Sequence, residues 1–158
     1  MKTAIKYLIV STLLITVVYG CKKGGTTPEP IIPDTTVPTI SVTKPTAGQV
    51  FVPGNTITFQ ASFTDNDKLG SYDIAITKKI TSAFILKNVP TPVPWSYTKG
   101  SVSFPTGPKT TDITYDILIP LDINGSPLAT GDYNFVVTCT DAAGNITITP
   151  SNLYIKIN

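Results

Sequence analysis

The chain has 158 residues, and its 12 lysines and 10 acidic residues give a formal net charge of +2. It contains no histidine and no arginine. This length accommodates a single domain. A nearly neutral surface without arginine excludes the usual nucleic-acid binder, which contacts phosphates through clustered basic side chains. Many β-branched residues, interrupted often by proline and glycine, predict short strands rather than helices.

The first twenty residues have the layout of a cleaved signal peptide. Lys2 and Lys6 precede the apolar run Tyr7–Val18, which is short for a spanning helix. Gly20 followed by Cys21 resembles the lipobox of bacterial lipoproteins. The resemblance implies cleavage before Cys21, a diacylated thiol and an acylated amino group, so we expect covalent lipid (palmitate) there. A secretory signal with a free cysteine and an uncleaved membrane anchor are the alternatives.

Residues 21–36 are predicted to form the lipidated cysteine and a tether. Lys22–Thr36 is rich in Lys, Gly, Thr and Pro and has no periodicity, as in an extended linker. At ~3 Å per residue it would hold the domain roughly 40–50 Å from the membrane. Loss of Lys2 and Lys6 with the signal peptide leaves ten lysines against ten acidic residues, so the mature chain is neutral.

Residues 37–158 are predicted to form the folded domain, and alternating apolar positions mark its strands. Prolines at 90, 92 and 94 exclude a central strand in the middle of the chain, where only an edge strand is expected. Leu121–Thr130 is predicted to be a connection. The predicted strands before it are Thr39–Val42, Val50–Val52, Thr56–Phe63, Ser71–Thr77, an edge strand at Phe84–Leu86, and Thr111–Ile119.

The stretch Gly131–Asn145 predicts the longest strand, followed by a tight turn. Tyr133, Phe135, Val137 and Cys139 share one face, which should be buried. Cys139 should therefore be an inert core residue, since no histidine exists to activate it. A second apolar run from Ile146 to Ile157 would complete a closing hairpin.

These seven or eight strands, with their turn spacing, predict an immunoglobulin-like β-sandwich. Gly131-Asp-Tyr is typical of a tyrosine corner. Several of these features together resemble a family of immunoglobulin-like lipoproteins from Bacteroidota, whose function is unassigned. The features are the lipobox with its tether, Pro38-Thr-Ile, Pro45 to Gly54 before the strand of Phe59, Thr64-Asp65 before Ser71-Tyr72, Ile117–Pro120, and Gly131-Asp-Tyr with Asp141-x-x-Gly-Asn.

Two loops are predicted to meet at one end of the sandwich, Thr64–Gly70 and Asp141–Asn145. Carboxylates and amides are the hard oxygen ligands that Ca²⁺ requires, so the two loops together are a candidate calcium site. The alternative is turn formation alone, because Asp and Asn side chains also cap turns. The candidate ligands are Asp65, Asp67, Asp141 and Asn145.

Trp95 and Tyr97 are candidate ligand-binding residues, because aromatic faces on a loop near this end could stack on sugar rings. The alternative is that the only tryptophan fills the core. Catalysis is not expected: a glycosidase built on Asp65, Asp67 and Asp73 is the one conceivable arrangement, and nothing in the sequence favours it.

The sequence thus predicts a non-catalytic lipoprotein of the outer membrane, facing either the periplasm or the cell exterior. It would act as a binding or adhesion module for glycan or protein through its sandwich loops. The alternative is an accessory structural subunit of an outer-membrane protein assembly, docking through a sheet face or edge strand. No nucleic-acid partner is expected.

Overall fold

A computed structural model describes residues 32–79, 91–150 and 152–158. The predicted signal peptide, Cys21, most of the tether and the predicted edge strand at Phe84–Leu86 lie outside these residues. Pro33–Asn158 form one compact unit, which begins four residues before the predicted domain start at Val37. Nowhere in these described ranges is there a helix of the length and hydrophobicity needed to cross a membrane.

The described chain is built from strands, which follow the predicted alternation of apolar and polar residues. The strands are β1 Thr39–Lys44, β2 Gln49–Phe51, β3 Thr56–Thr64, β4 Leu69–Lys78, β5 Ser96–Ser103, β6 Thr110–Leu118, β7 Asp122–Ile123, β8 Ser126–Pro127, β9 Gly131–Asp141, β10 Ile146–Ile148 and β11 Tyr154–Ile157.

Two sheets pack face to face, which confirms the predicted immunoglobulin-like sandwich. One has the order β1-β3-β6, and the other has the order β2-β11-β9-β4-β5, with β10 also paired to β9. The pairings are antiparallel except for β2 with β11, which is parallel. The chain changes sheet between β1 and β2, so the predicted strands Thr39–Val42 and Val50–Val52 lie in different sheets.

The core lies between the inner faces of β3, β4, β6 and β9. The four inward residues of β9, Cys139 among them, are fully buried, as predicted. Phe59 of β3 stacks on Phe135 of β9, with ring centroids 5.9 Å apart, and so joins the two sheets. Burial of an aromatic ring stabilises a fold by about 2–3 kcal/mol, so this pair is a principal contact between the layers.

The closing hairpin differs from the prediction. β10 pairs with the end of β9, and β11 pairs with its beginning, so the second apolar run is two strands. Pro150 supplies no backbone N–H for a continuous ladder. Just before Pro150, the Thr149 hydroxyl accepts a hydrogen bond from the Val137 N–H at 2.9 Å. This bond gives the Val137 N–H of β9 a partner between the pairings with β10 and β11.

The predicted connection Leu121–Thr130 contains the small hairpin β7–β8. Its two central residues are Asn124 and Gly125, with φ of 54° and 78°. Positive φ at both positions is the geometry of a type I′ turn, for which Asn-Gly is the preferred sequence. The sequence does not predict this hairpin, because each strand has only two residues, too few to show alternation.

β5 lies at the open edge of its sheet, and the sequence does not predict this strand, because its expected edge strand is Phe84–Leu86. Across that edge, the Tyr97 hydroxyl of β5 donates a hydrogen bond to the Tyr115 hydroxyl of β6 at 3.0 Å. Lys99 Nζ lies 3.6 Å from the centroid of the Tyr115 ring. Burial and this hydrogen bond raise the pKa of Tyr97. These contacts join the two sheets on a side that their backbones leave open.

The predicted tyrosine corner is confirmed. The buried Tyr133 hydroxyl donates a 2.5 Å hydrogen bond to the Ala129 carbonyl, four residues upstream. It also accepts a hydrogen bond from the Trp95 N–H at 3.4 Å. One phenol therefore holds the segment before β9 and the segment before β5 together.

We expect Tyr133→Phe to lower the free energy of unfolding by about 1–2 kcal/mol, since it leaves the Ala129 carbonyl without this donor. Tyr154→Phe is the control. Tyr154 is half-buried on β11, and its ring contact with Lys79 needs no hydroxyl, so a change within about 0.5 kcal/mol is expected. Equal effects in urea denaturation would contradict a special role for the corner.

Candidate metal centre

Three aspartates from separate segments meet at one end of the sandwich. Asp34 lies before β1, Asp65 directly follows β3, and Asp141 is the last residue of β9. One oxygen of each carboxylate lies within 4.8 Å of the other two. We call these residues, with Asn66 and Asn145 beside them, the acidic pole.

Strand register brings Asp65 and Asp141 together. Leu69 of β4 pairs with Asp141, and a bulge at Gly70 follows before pairing resumes at Ser71. A Cβ on Gly70 would lie 2.5 Å from the Asp141 carbonyl oxygen, so only glycine permits this approach. The Asp65 N–H donates a 2.8 Å hydrogen bond to the Lys109 carbonyl, which holds the β3–β4 loop at the same end.

Asp141 organises the turn after β9. Its Oδ1 accepts a hydrogen bond from the Asn145 N–H, and its Oδ2 accepts one from Asn145 Nδ2, both at 2.7 Å. This is the turn chemistry expected of Asp and Asn. Each carboxylate oxygen has two lone pairs, so both oxygens retain the capacity to bind a cation.

Asp34 attaches the segment of residues 33–38, which we call the lead segment, to the loops. Its Oδ1 accepts hydrogen bonds from the Thr36 N–H at 3.0 Å and from Asn66 Nδ2 at 3.1 Å. The Asp34 carbonyl accepts a further one from Asn145 Nδ2 at 3.1 Å. The backbone bond from Thr36, followed by that from Asn66, lowers the pKa of Asp34, which favours its charged form.

Asp65 is the least satisfied group of the acidic pole. It is only 7% exposed. Its Oδ2 accepts a 2.9 Å hydrogen bond from the Asp67 N–H, whereas its Oδ1 is buried and has no hydrogen-bond partner in the described part of the chain. The carboxylates of Asp65 and Asp141 have oxygens within 4.8 Å of each other, and two unit charges at that separation repel by roughly 3 kcal/mol at an effective dielectric constant of about 20.

The candidate ligands are thus partly those that the sequence predicts. Asp65, Asp141 and Asn145 come together. Asp67 is exposed, and its carboxylate lies outside the cluster. It contributes only its backbone N–H, which donates a hydrogen bond to Asp65 Oδ2. Asp34 was not predicted, because its Pro- and Thr-rich surroundings assign it to the tether. No sequence pattern distinguishes it from a tether residue, since its contacts lie more than thirty residues away.

Cys139 lies two residues before Asp141 on the buried face of β9 and is a free cysteine. Burial, followed by the charges of Asp65 and Asp141, raises the pKa of its thiol to about 11. The thiol therefore stays protonated near neutral pH, and the thiolate is the nucleophilic form. This agrees with the prediction of an inert core residue.

Trp95 does not lie near the acidic pole. It packs against Tyr133, with ring centroids 6.2 Å apart, and Tyr133 is eight residues from Asp141 along β9, roughly 25 Å at strand spacing. Trp95 is 6% exposed, and Tyr97 is half-buried. The expected position near the acidic pole is therefore wrong: Trp95 fills the core, as the alternative predicts, and is not free to stack on a sugar ring.

We expect the fluorescence of Trp95, the only tryptophan, to be blue-shifted in the native protein and weakly quenched by acrylamide, because the indole is removed from water. Denatured protein is the control, with red-shifted emission and strong quenching. Native emission quenched as efficiently as that of the denatured chain would contradict this packing and restore Trp95 as an exposed platform.

Solved structures with similar folds include three bacterial proteins. The fibronectin(III)-like modules of Clostridium thermocellum CbhA are 14% identical, with a TM-score of 0.41, covering 75% of this chain and 94% of theirs. Bacillus subtilis Spo0M, a sporulation control protein, is 11% identical with a TM-score of 0.44, and the match covers 78% of this chain and 50% of Spo0M. OgpA from Akkermansia muciniphila is 11% identical with a TM-score of 0.42, and the match covers 73% of this chain and 28% of OgpA. The chain thus spans half or less of the last two proteins.

Comparison of the sequence with curated proteins found no match. The model of one protein family, described as a domain of unknown function, matches residues 21–157. That range includes every described strand and all residues of the acidic pole. The chain therefore belongs to the DUF4625 family.

Proposed function

We propose that the protein is a lipid-anchored, non-catalytic module of the outer membrane that binds a protein partner through the end of the sandwich opposite the acidic pole. We call that opposite end the distal end. The observation that carries this proposal is a group of exposed apolar side chains there. They are Val52, Leu118 and Leu121.

The anchor rests on the sequence around Cys21. An apolar segment ends in Gly20, and the cysteine follows at the position where a lipoprotein is cleaved and acylated. The family match also begins at residue 21, which agrees with a mature chain that starts there. Acyl chains on one cysteine, rather than a spanning helix, would then hold the protein at the membrane.

The lead segment gives the domain a direction relative to such an anchor. It joins the sandwich at the acidic pole, because Thr39 of β1 pairs with Thr64 at the end of β3. β3 starts at the other end, where Thr56 pairs with Leu118 of β6. The end that carries Leu118 is therefore the farther one from the residues that lead to Cys21.

Three of the exposed apolar side chains lie at the distal end. Leu118 and Leu121 are 65% and 73% exposed, and Val52 is 46% exposed. Leu121 lies over the turn at Gly54, where an added Cβ would lie 2.8 Å from its Cδ2. Contiguous exposed apolar surface marks interaction sites, and we infer such a surface from these three side chains, whose chemistry suits a protein partner better than a glycan.

Other observations favour binding over catalysis and protein over sugar. The chain has no histidine, and its single glutamate, Glu29, is in the predicted tether. Trp95, the residue expected to stack on sugar rings, is buried. The same distal end would also serve an accessory subunit of an envelope assembly, so this remains the second candidate. An accessory subunit should co-purify stably with a membrane protein, whereas a binding module should associate with its partner reversibly.

Cys21→Ser tests the anchor. Serine has no thiol to accept a diacylglycerol, so we expect loss of radiolabelled palmitate incorporation and loss of the mature chain from the outer-membrane fraction. Cys139→Ser is the control and should keep both, because Cys139 is buried in the core. Unlabelled wild-type protein, or labelling that survives Cys21→Ser, would contradict a lipid at this residue.

A photo-crosslinking amino acid tests the binding surface in intact cells. At Leu118 or Leu121 it should give a discrete crosslinked protein band. Asp116 is the control position, since it is exposed on the same strand and the same face as Leu118, two residues nearer the acidic pole. Leu121→Asp should weaken the band obtained from position 118. Equal bands at 116 and 118, or none at either distal position, would argue against the distal end.

A further inference from the structure

We propose that the acidic pole is a calcium site, and that the bound ion fastens the lead segment to the sandwich. Asp34, Asp65 and Asp141 would be its protein ligands. This inference does not rest on the binding role of the distal end, which lies at the opposite end of the domain.

The donor set suits Ca²⁺. All three side chains are carboxylates, and one oxygen of each lies within 4.8 Å of the others. Calcium takes six to eight oxygen ligands at 2.3–2.6 Å with flexible geometry. Backbone carbonyls and water would complete the shell. Mg²⁺ demands a nearly ideal octahedron and keeps its waters, so ligands from three separate segments fit it less well.

A second observation points to a ligand independently of the cluster. Asp65 Oδ1 is buried and has no partner in the described residues, although its Oδ2 is hydrogen-bonded. A buried polar atom without a partner is rare in folded proteins and calls for an ion, a water or a functional role. An ion between the three carboxylates would satisfy this oxygen and offset their mutual repulsion.

Turn formation alone, the alternative from the sequence, accounts for only part of the arrangement. It explains the bonds between Asp141 and Asn145 and the bond from Asp67 to Asp65. It does not explain why Asp34, from outside both loops, brings a third carboxylate to the same point. It also leaves Asp65 Oδ1 unsatisfied.

The ion would have a mechanical consequence for the tether. Asp34 precedes β1, and without an ion its segment is held by the bonds from Asn66 and Asn145 and by the bond from the Thr147 hydroxyl to the Pro38 carbonyl. Calcium would add a link from Asp34 to both Asp65 and Asp141. The lead segment would then belong to the folded domain from Asp34 onward.

Thermal unfolding of the full-length protein in detergent tests the site, with Trp95 fluorescence as the reporter. The melting temperature should rise in calcium chloride relative to excess EDTA, because a ligand of the native state alone stabilises it. At a hundredfold excess over Kd the rise should be on the order of 10 °C. Asp65→Asn and Asp141→Asn should abolish the rise. Asp67→Asn, two residues away in the same loop, should keep it.

Hydrogen exchange tests the link to the lead segment. In wild-type protein, calcium should slow exchange in residues 33–38, which include the Thr36 amide bonded to Asp34. Asp34→Asn keeps an oxygen for that bond but loses the charge, so calcium should no longer protect the segment. Two results would overturn the proposal: no calcium-dependent melting in wild-type protein, or a full calcium response in Asp65→Asn.

Discussion

The buried face of β9 is the constraint on which the rest of the structure depends. Tyr133, Phe135, Val137 and Cys139 point into the core without interruption. On one side β9 pairs along its length with β4, and on the other it pairs first with β11 and then with β10. A one-residue slip would turn these four side chains outward. Register along β9 therefore fixes the larger sheet and the face that packs on β3.

The two ends of β9 have different chemistry. At the start, Tyr133 binds backbone from two segments, and Trp95 packs on it. At the finish, Asp141 meets Asp65 and Asp34. Because one rigid strand joins the ends, the acidic pole and the distal end are held on opposite sides of the molecule. In our proposals the acidic pole receives the tether and an ion, and the distal end binds a partner.

The sequence was sufficient for the features that depend on local pattern. Period-two alternation gave the inner faces of β3, β4 and β9, and Gly131-Asp-Tyr gave the tyrosine corner. It was insufficient where contacts are distant or elements are short. Asp34 contacts Asn145 across 111 residues, β7 and β8 have two residues each, and the position of Trp95 depends on its packing against Tyr133, which local pattern does not encode.

The most direct test of the account is a crystal structure of the protein grown in calcium chloride, with anomalous data collected at a wavelength where calcium scatters. A calcium ion at the acidic pole should give an anomalous peak 2.3–2.6 Å from carboxylate oxygens of Asp34, Asp65 and Asp141, with the lead segment ordered beside it. An acidic pole that holds only water, or a lysine ammonium in place of the ion, would contradict it.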